Sequence, residues 1–225
     1  MMNKFKKAVL GLALGVSLAG SANAVPAYWT DWTSILTASP GVAGSLAVGA
    51  DTVGVTFTGA YNFAQTSGGT NYWNPSAPYM SAVVDNAPPA ADIIALSSGG
   101  TATISFSQAV TDPLIALVSW NSNTVDFNTP IEILSYGAGY WGGGTPVLNA
   151  DGDGFFGSGE VHGVIRLPGT FTSISFTHTS ETWHGLTVGV LGVADPGGGN
   201  VPEPISLVLT GIGLVALAAA RRRRS

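Results

Sequence analysis

The chain has 225 residues and no cysteine, which excludes disulfides and thiolate metal sites and leaves stability to core burial. Its formal charge of −5 hides a sharp division, because seven of the eight basic residues (Lys4, Lys6, Lys7 and Arg221 to Arg224) lie near the two ends. Residues 25–200 keep Arg166 alone against twelve carboxylates, a formal charge of −11, which repels phosphate backbones and anionic surfaces and excludes nucleic-acid binding.

In chain order, the three lysines come first, then the apolar run Ala8 to Leu18, then the small residues Ala22-Asn23-Ala24. That is the order of a secretory signal peptide, here 1–24, a helix removed by signal peptidase after Ala24. The apolar run is too short to span a bilayer. Residues 25–194 are then expected to form one domain with its own core.

The domain opens with Tyr28, Trp29 and Trp32, and Gly41 to Gly49 reads as small and loose. Thr52 to Thr58 alternates, with Val53, Val55 and Phe57 on one face, the period of a half-buried strand. Gln65 to Tyr79 reads as a loop carrying Tyr72, Trp73 and Tyr79, and Ser81 to Val84 as a short strand. Thr101 to Ser107 alternates again, and Leu114 to Trp120 is continuously apolar, as a central buried strand requires. Val125 to Phe127 and Ile131 to Tyr136 follow, then the glycine-rich loop Gly137 to Pro146 with Tyr140 and Trp141. Val161 to Leu167 and Phe171 to Thr177 are expected to form a hairpin about Pro168-Gly169, and Trp183 to Val193 is the last strand. No segment of the domain has a helical period. Nine or ten short strands separated by turns predict an all-β fold, an antiparallel β-sandwich of jelly-roll type.

Four groups of residues carry candidate chemistry. Asn149, Asp151 and Asp153 fall at positions one, three and five of a twelve-residue stretch, with Gly154 at six, the Phe155 carbonyl at seven and Glu160 at twelve. This resembles the calcium loop of EF-hand sites, in which alternate oxygens converge on one hard cation and a distant carboxylate closes the shell. Asn149 stands where an aspartate is usual, and no helices flank the loop, so the resemblance implies a bare Ca2+ loop between strands. An ordinary Asp/Gly turn uses the same residues. The three histidines, His162, His178 and His184, match no zinc or nucleophile motif, and Gly157-Ser158-Gly159 lacks the spacing of a nucleophile elbow. Strand-edge histidines of this kind are expected to be exposed. A hydrolytic carboxylate pair needs only the right separation in the fold, which spacing does not reveal. Finally, Tyr72, Trp73, Tyr140 and Trp141 lie in glycine-rich stretches beside Asn and Ser, the composition of surfaces that stack on sugar rings.

The chain closes with a Pro/Gly linker at 195–200, then Val201-Pro202-Glu203-Pro204, the apolar run 205–220, and Arg221-Arg222-Arg223-Arg224 before Ser225. Two prolines keep the helix from starting before 205. Sixteen residues reach roughly 24 Å, enough for a transmembrane helix when the arginines snorkel into the headgroups. The four arginines place that end in the cytoplasm. Motif, short apolar helix and arginine cluster together resemble the PEP-CTERM sorting signal of bacterial exosortase systems. The resemblance covers 201–225 and implies recognition of the tail by a membrane-embedded exosortase. It further implies transient anchoring in the inner membrane, then transfer to the cell surface or release.

These readings converge on an exported, acidic, surface or extracellular-matrix protein. Its central domain is expected to be a non-catalytic structural or polysaccharide-binding module; the alternative is a hydrolase or lyase acting on extracellular polysaccharide.

Overall fold

In the computed structural model, which describes residues 24–194, the chain is all-β. In chain order the strands are β1 Tyr28–Trp29, β2 Asp31–Leu36, β3 Gly41–Val48, β4 Asp51–Thr58, β5 Phe63–Gln65, β6 Ile93–Leu96, β7 Gly100–Thr111 and β8 Leu114–Trp120. They continue as β9 Thr124–Asp126, β10 Glu132–Gly137, β11 Gly144–Leu148, β12 Gly154–Gly159, β13 Val161–Arg166, β14 Thr170–His178, β15 His184–Val190 and β16 Gly192–Val193. A single 3-10 turn covers Ala77–Tyr79. The signal segment, the linker 195–200 and the tail 201–225 lie outside the described residues. No helix among the described residues is long and apolar enough to cross a membrane.

Two antiparallel sheets result. One runs β10-β13-β8-β15-β6-β5, with β1 also paired to β15; the other runs β11-β12-β9-β14-β7-β4-β3-β2, with β16 paired to β7. One cluster of buried side chains draws on both sheets: Val55, Phe57 and Ile104 from one, Ile115, Leu117 and Val188 from the other. Each of these positions follows the two-residue alternation of its strand, so the pleat itself delivers them to one face. Trp32 and Trp120 are wholly buried and keep their indole donors satisfied, by Thr187 Oγ1 at 2.9 Å and the Gly185 carbonyl at 2.8 Å. β8 and β15 are buried along their whole lengths, because a second cluster (Trp29, Trp73, Tyr79, Leu114, Val118) covers the outer face of their sheet.

Several expected elements differ. Gly41–Val48 is a full strand, not a loose segment, pairing with β4 from Gly41↔Thr58 to Val48↔Asp51. Ser81 to Val84 forms no strand, only a single bridge from Val84 to Val25. β13 and β14 do not pair: β13 lies between β10 and β8, and β14 lies between β7 and β9 of the other sheet. Pro168-Gly169 therefore marks a crossing between sheets, which local turn chemistry resembles closely enough to be read as a hairpin.

Candidate functional site

The strand order places four chain segments at one end of the first sheet. β10, β13, β8 and β15 are neighbours and alternate in direction, so the end of β10, the start of β13, the end of β8 and the start of β15 coincide. The loops leaving these ends surround a cleft of about 550 Å³. Ser119, Asn121 and Ser122 come from the end of β8, Glu160 from the approach to β13, and Glu181, Thr182 and Trp183 from the approach to β15; Trp141 enters from the loop after β10.

Two carboxylates share this cleft, and one residue fixes both. Asn121 donates its side-chain amide to Glu160 Oε1 at 2.9 Å and its backbone N–H to Glu181 Oε2 at 3.1 Å. The Ser119 hydroxyl donates to the other oxygen of Glu160. Ser119 reaches it because its backbone is left-handed (φ 58°) within β8, and Ser122 follows with φ 53°. Non-glycine residues rarely hold such angles, and they concentrate where a strand must aim a side chain. Every donor to the pair is neutral. Arg166, the one Lys or Arg among the described residues, is committed elsewhere, to Glu132 and, at 4.0 Å, to Asp112.

Behind Glu181 stands a buried imidazole pair. His184 Nδ1 lies 3.4 Å from Glu181 Oε2, and His184 Nε2 lies 3.2 Å from His178 Nδ1. His184 also packs on Trp120, with ring centroids 4.5 Å apart. Burial, reinforced by the neighbouring His184, pushes His178 down to about 4, against a hydrogen bond with the Thr179 backbone. His162 is likewise buried and lowered to about 4, chiefly by burial and partly offset by Glu160. Its Nδ1 lies 3.2 Å from the Tyr79 hydroxyl. All three histidines are buried, contrary to the exposed strand-edge positions the sequence suggests.

Aromatic rings build the wall. Tyr72, Tyr140, Trp141 and Trp183 form one connected group: Tyr72 lies 5.1 Å from Tyr140, 5.4 Å from Trp141 and 5.2 Å from Trp183. Trp141 lies 4.8 Å from Tyr140 and 4.6 Å from Trp183, both edge to face. Such packing holds rings rigid, yet Tyr140 and Trp141 remain 42 % and 46 % exposed. The loop carrying them rests on His162. A Cβ on Gly139 would come within 2.3 Å of that ring, so only glycine permits the approach.

Three of the four aromatics singled out from sequence thus pack into one ring cluster, of which Trp141 lines the cleft. Trp73 does not. It is 2 % exposed and packs edge to face on Tyr79 at 5.1 Å, in the core beneath the loop. Trp183, Glu181, Ser119 and Asn121 are the residues that sequence reasoning missed. Glu181-Thr182-Trp183 had the available signal, an acid and an aromatic in a short connection between strands.

The residues of the calcium-loop pattern fall in two places. Asn149, Asp151 and Asp153 sit in the turn of the β11–β12 hairpin, and Glu160 lies beyond the far end of β12. The six residues of β12 separate Asp153 from Glu160 by roughly 20 Å, too far to close one ion's shell. Phe155 is a ladder residue paired with Leu148 and Val125, its side chain wholly buried. Asn149 spends its side-chain oxygen on the N–H groups of Gly152, Asp153 and Gly154 at 2.8, 3.1 and 3.3 Å, and its amide donates to Asp153 Oδ1 at 2.6 Å. Among the described residues no group of three His, Asp or Glu side chains is placed to hold a metal ion. The reason is strand pairing. Phe155 in, Phe156 out and Gly157 against the Trp120 carbonyl form a regular strand laddered between β11 and β9.

Comparison with known families identifies the tail. Residues 200–224 match the family described as PEP-CTERM protein-sorting motif. The chain carries a PEP-CTERM sorting signal. Its prolines, Glu203 and arginine cluster are therefore an address, which implies an exported protein with an exosortase as its processing partner. No family matches the central domain, and no curated protein or solved structure matches the chain. The PEP-CTERM tail thus says where the domain is sent, and the cleft must say what it does there.

Proposed function

We propose that this is a PEP-CTERM surface or extracellular-matrix protein whose central domain, an antiparallel β-sandwich of jelly-roll type, binds polysaccharide in the cleft without cleaving it. The observation that carries this reading is a cleft at one end of a sheet in which two aromatic rings, Trp141 and Trp183, stand with two hydrogen-bonded carboxylates. Ring faces offer apolar contact to the C–H face of a pyranose, and carboxylates, amide and hydroxyls at the rim offer partners to its hydroxyl groups. The cleft volume of about 550 Å³ lies within the range of small-ligand sites and suits a few sugar units. An address for the cell surface brings such a site to where polysaccharide is displayed.

Retention of the purified full chain on immobilised exopolysaccharide from the producing cell tests the reading. Binding to the wild type that is lost in Trp183→Ala supports it; equal retention of both, or of neither, overturns it. A second reading rests on the carboxylate pair itself, since two acids in one cleft are the minimum for glycoside hydrolysis. It predicts new reducing ends or unsaturated ends in the polymer, abolished in Glu160→Gln. Absence of turnover with retained binding favours the non-catalytic module.

A further inference from the structure

Resting on that reading, we propose that the cleft recognises a cationic sugar, a polymer of 2-amino-2-deoxy units with free ammonium groups, in preference to neutral or uronic-acid polymers. The argument begins with charge. Glu160 and Glu181 are drawn to the same residue, Asn121, and receive only neutral donors, from Ser119 and from Asn121 itself. The described domain has no free Lys or Arg to place beside them. Two carboxylates line one cleft with no Lys or Arg beside them, and both attract a ligand that supplies a positive charge.

A second observation points the same way. The buried His184 has no hydrogen-bond partner at Nδ1, which faces the Glu181 carboxylate at 3.4 Å. Its other nitrogen meets His178, whose burial holds it neutral at physiological pH. No Lys or Arg stands beside Glu181, and the compensating charge can come from a ligand on the cleft side.

The walls fit the same ligand. The rings of Trp141 and Trp183 that line the cleft attract an ammonium through their faces. The same rings stack on the sugar to which the ammonium is attached. A uronic-acid polymer would bring more negative charge to a domain that already carries −11 over residues 25–200, one base against twelve acids. A lysine side chain has the ammonium but no flat C–H face for the two indole rings, so an amino sugar uses more of the cleft than a basic peptide does.

The test is calorimetric titration of the full chain in detergent with three tetrasaccharides of equal length: glucosamine, N-acetylglucosamine and glucuronic acid. A lysine tetrapeptide serves as a fourth probe, in mildly acidic buffer that keeps the sugar amine protonated. The expected result is a glucosamine tetramer bound roughly ten-fold tighter than its acetylated counterpart, the value of one charge-assisted contact, with no glucuronate binding. Glu181→Gln and, as a second variant, Glu160→Gln should each bring the ratio of the two affinities close to one, with the unfolding temperature measured to confirm that each variant is folded. Equal affinity for the amine and acetylated tetramers overturns the cationic-sugar proposal and leaves polysaccharide binding standing. Binding of the lysine peptide as tight as the glucosamine tetramer also overturns it. Failure of all three sugars to bind overturns both.

Discussion

Gly139 and His162 show how a single atom can set the aromatic wall. Alanine at 139 would drive its Cβ into the buried imidazole, so the loop bearing Tyr140 and Trp141 must lift or the ring must shift. We expect Gly139→Ala to destabilise the fold by about 1–3 kcal/mol, as overpacking typically does, and to weaken polysaccharide retention. Chemical denaturation and the retention assay measure the two effects; wild-type values for both would contradict the described packing. His162 and His178 also give the molecule a pH response. An unfolded histidine titrates near the ordinary 6.5, whereas these two are lowered to about 4, so protons favour the unfolded chain. Their contribution is complete above 6.5 and is lost as pH falls from there towards 4. Asp92 acts oppositely. Burial raises it from 3.8 to about 6, despite the Trp32 N–H it accepts at 2.9 Å, so its contribution is present below 3.8 and lost as pH rises through 6. Two imidazoles outweigh one carboxyl, and the unfolding temperature is expected to drop between pH 6.5 and 4, with a shallower drop in His178→Gln. A rise over that interval would contradict the buried, neutral histidines.

At the scale of elements, what could be read in the sequence tracks what is local. Leu114–Trp120 is buried on both faces as its unbroken apolar run indicates, and β4 and β7 follow their alternation. β3 was hidden because Gly41, Gly44 and Ala43 dilute its pattern, though Gly41 and Gly44 stand where neighbouring backbone comes within 2.6 Å of a built Cβ. The Tyr72, Tyr140 and Trp141 part of the ring cluster, through which Trp141 reaches the cleft, was legible from loop composition. Glu160 and Glu181 were not legible as a pair, since their union depends on β13, β8 and β15 being neighbours, a property of long-range pairing. The β11–β12 hairpin carries the opposite lesson. Its turn matches a calcium loop by spacing, yet Asn149 uses its oxygen to cap three backbone donors. Asn149→Ala should therefore cost about 1–2 kcal/mol by leaving these partly buried N–H groups unpaired. Calcium should leave the unfolding temperature of the wild type unchanged, whereas an ion bound to the folded state at 100 times its dissociation constant would add about 2.7 kcal/mol.

For the whole molecule, address and cargo divide cleanly. The matched tail at 200–224 supplies export and exosortase processing, and the acidic domain ahead of it supplies the cleft. Replacing Pro202, Glu203 and Pro204 with alanine is expected to leave full-length chain in the inner membrane, detected by fractionation; unchanged release of a shortened form would contradict the sorting role. The claim that the cleft is the working surface is tested most directly by binding isotherms on the exopolysaccharide for three chains: wild type, Trp141→Ala and Tyr136→Ala. Tyr136 is 52 % exposed and stands outside the ring cluster, so it controls for loss of any surface aromatic. The account predicts a loss of roughly ten-fold or more for Trp141→Ala, in line with one stacking contact of about 1.5 kcal/mol, and no change for Tyr136→Ala. Equal loss in both variants, or none in either, would contradict it.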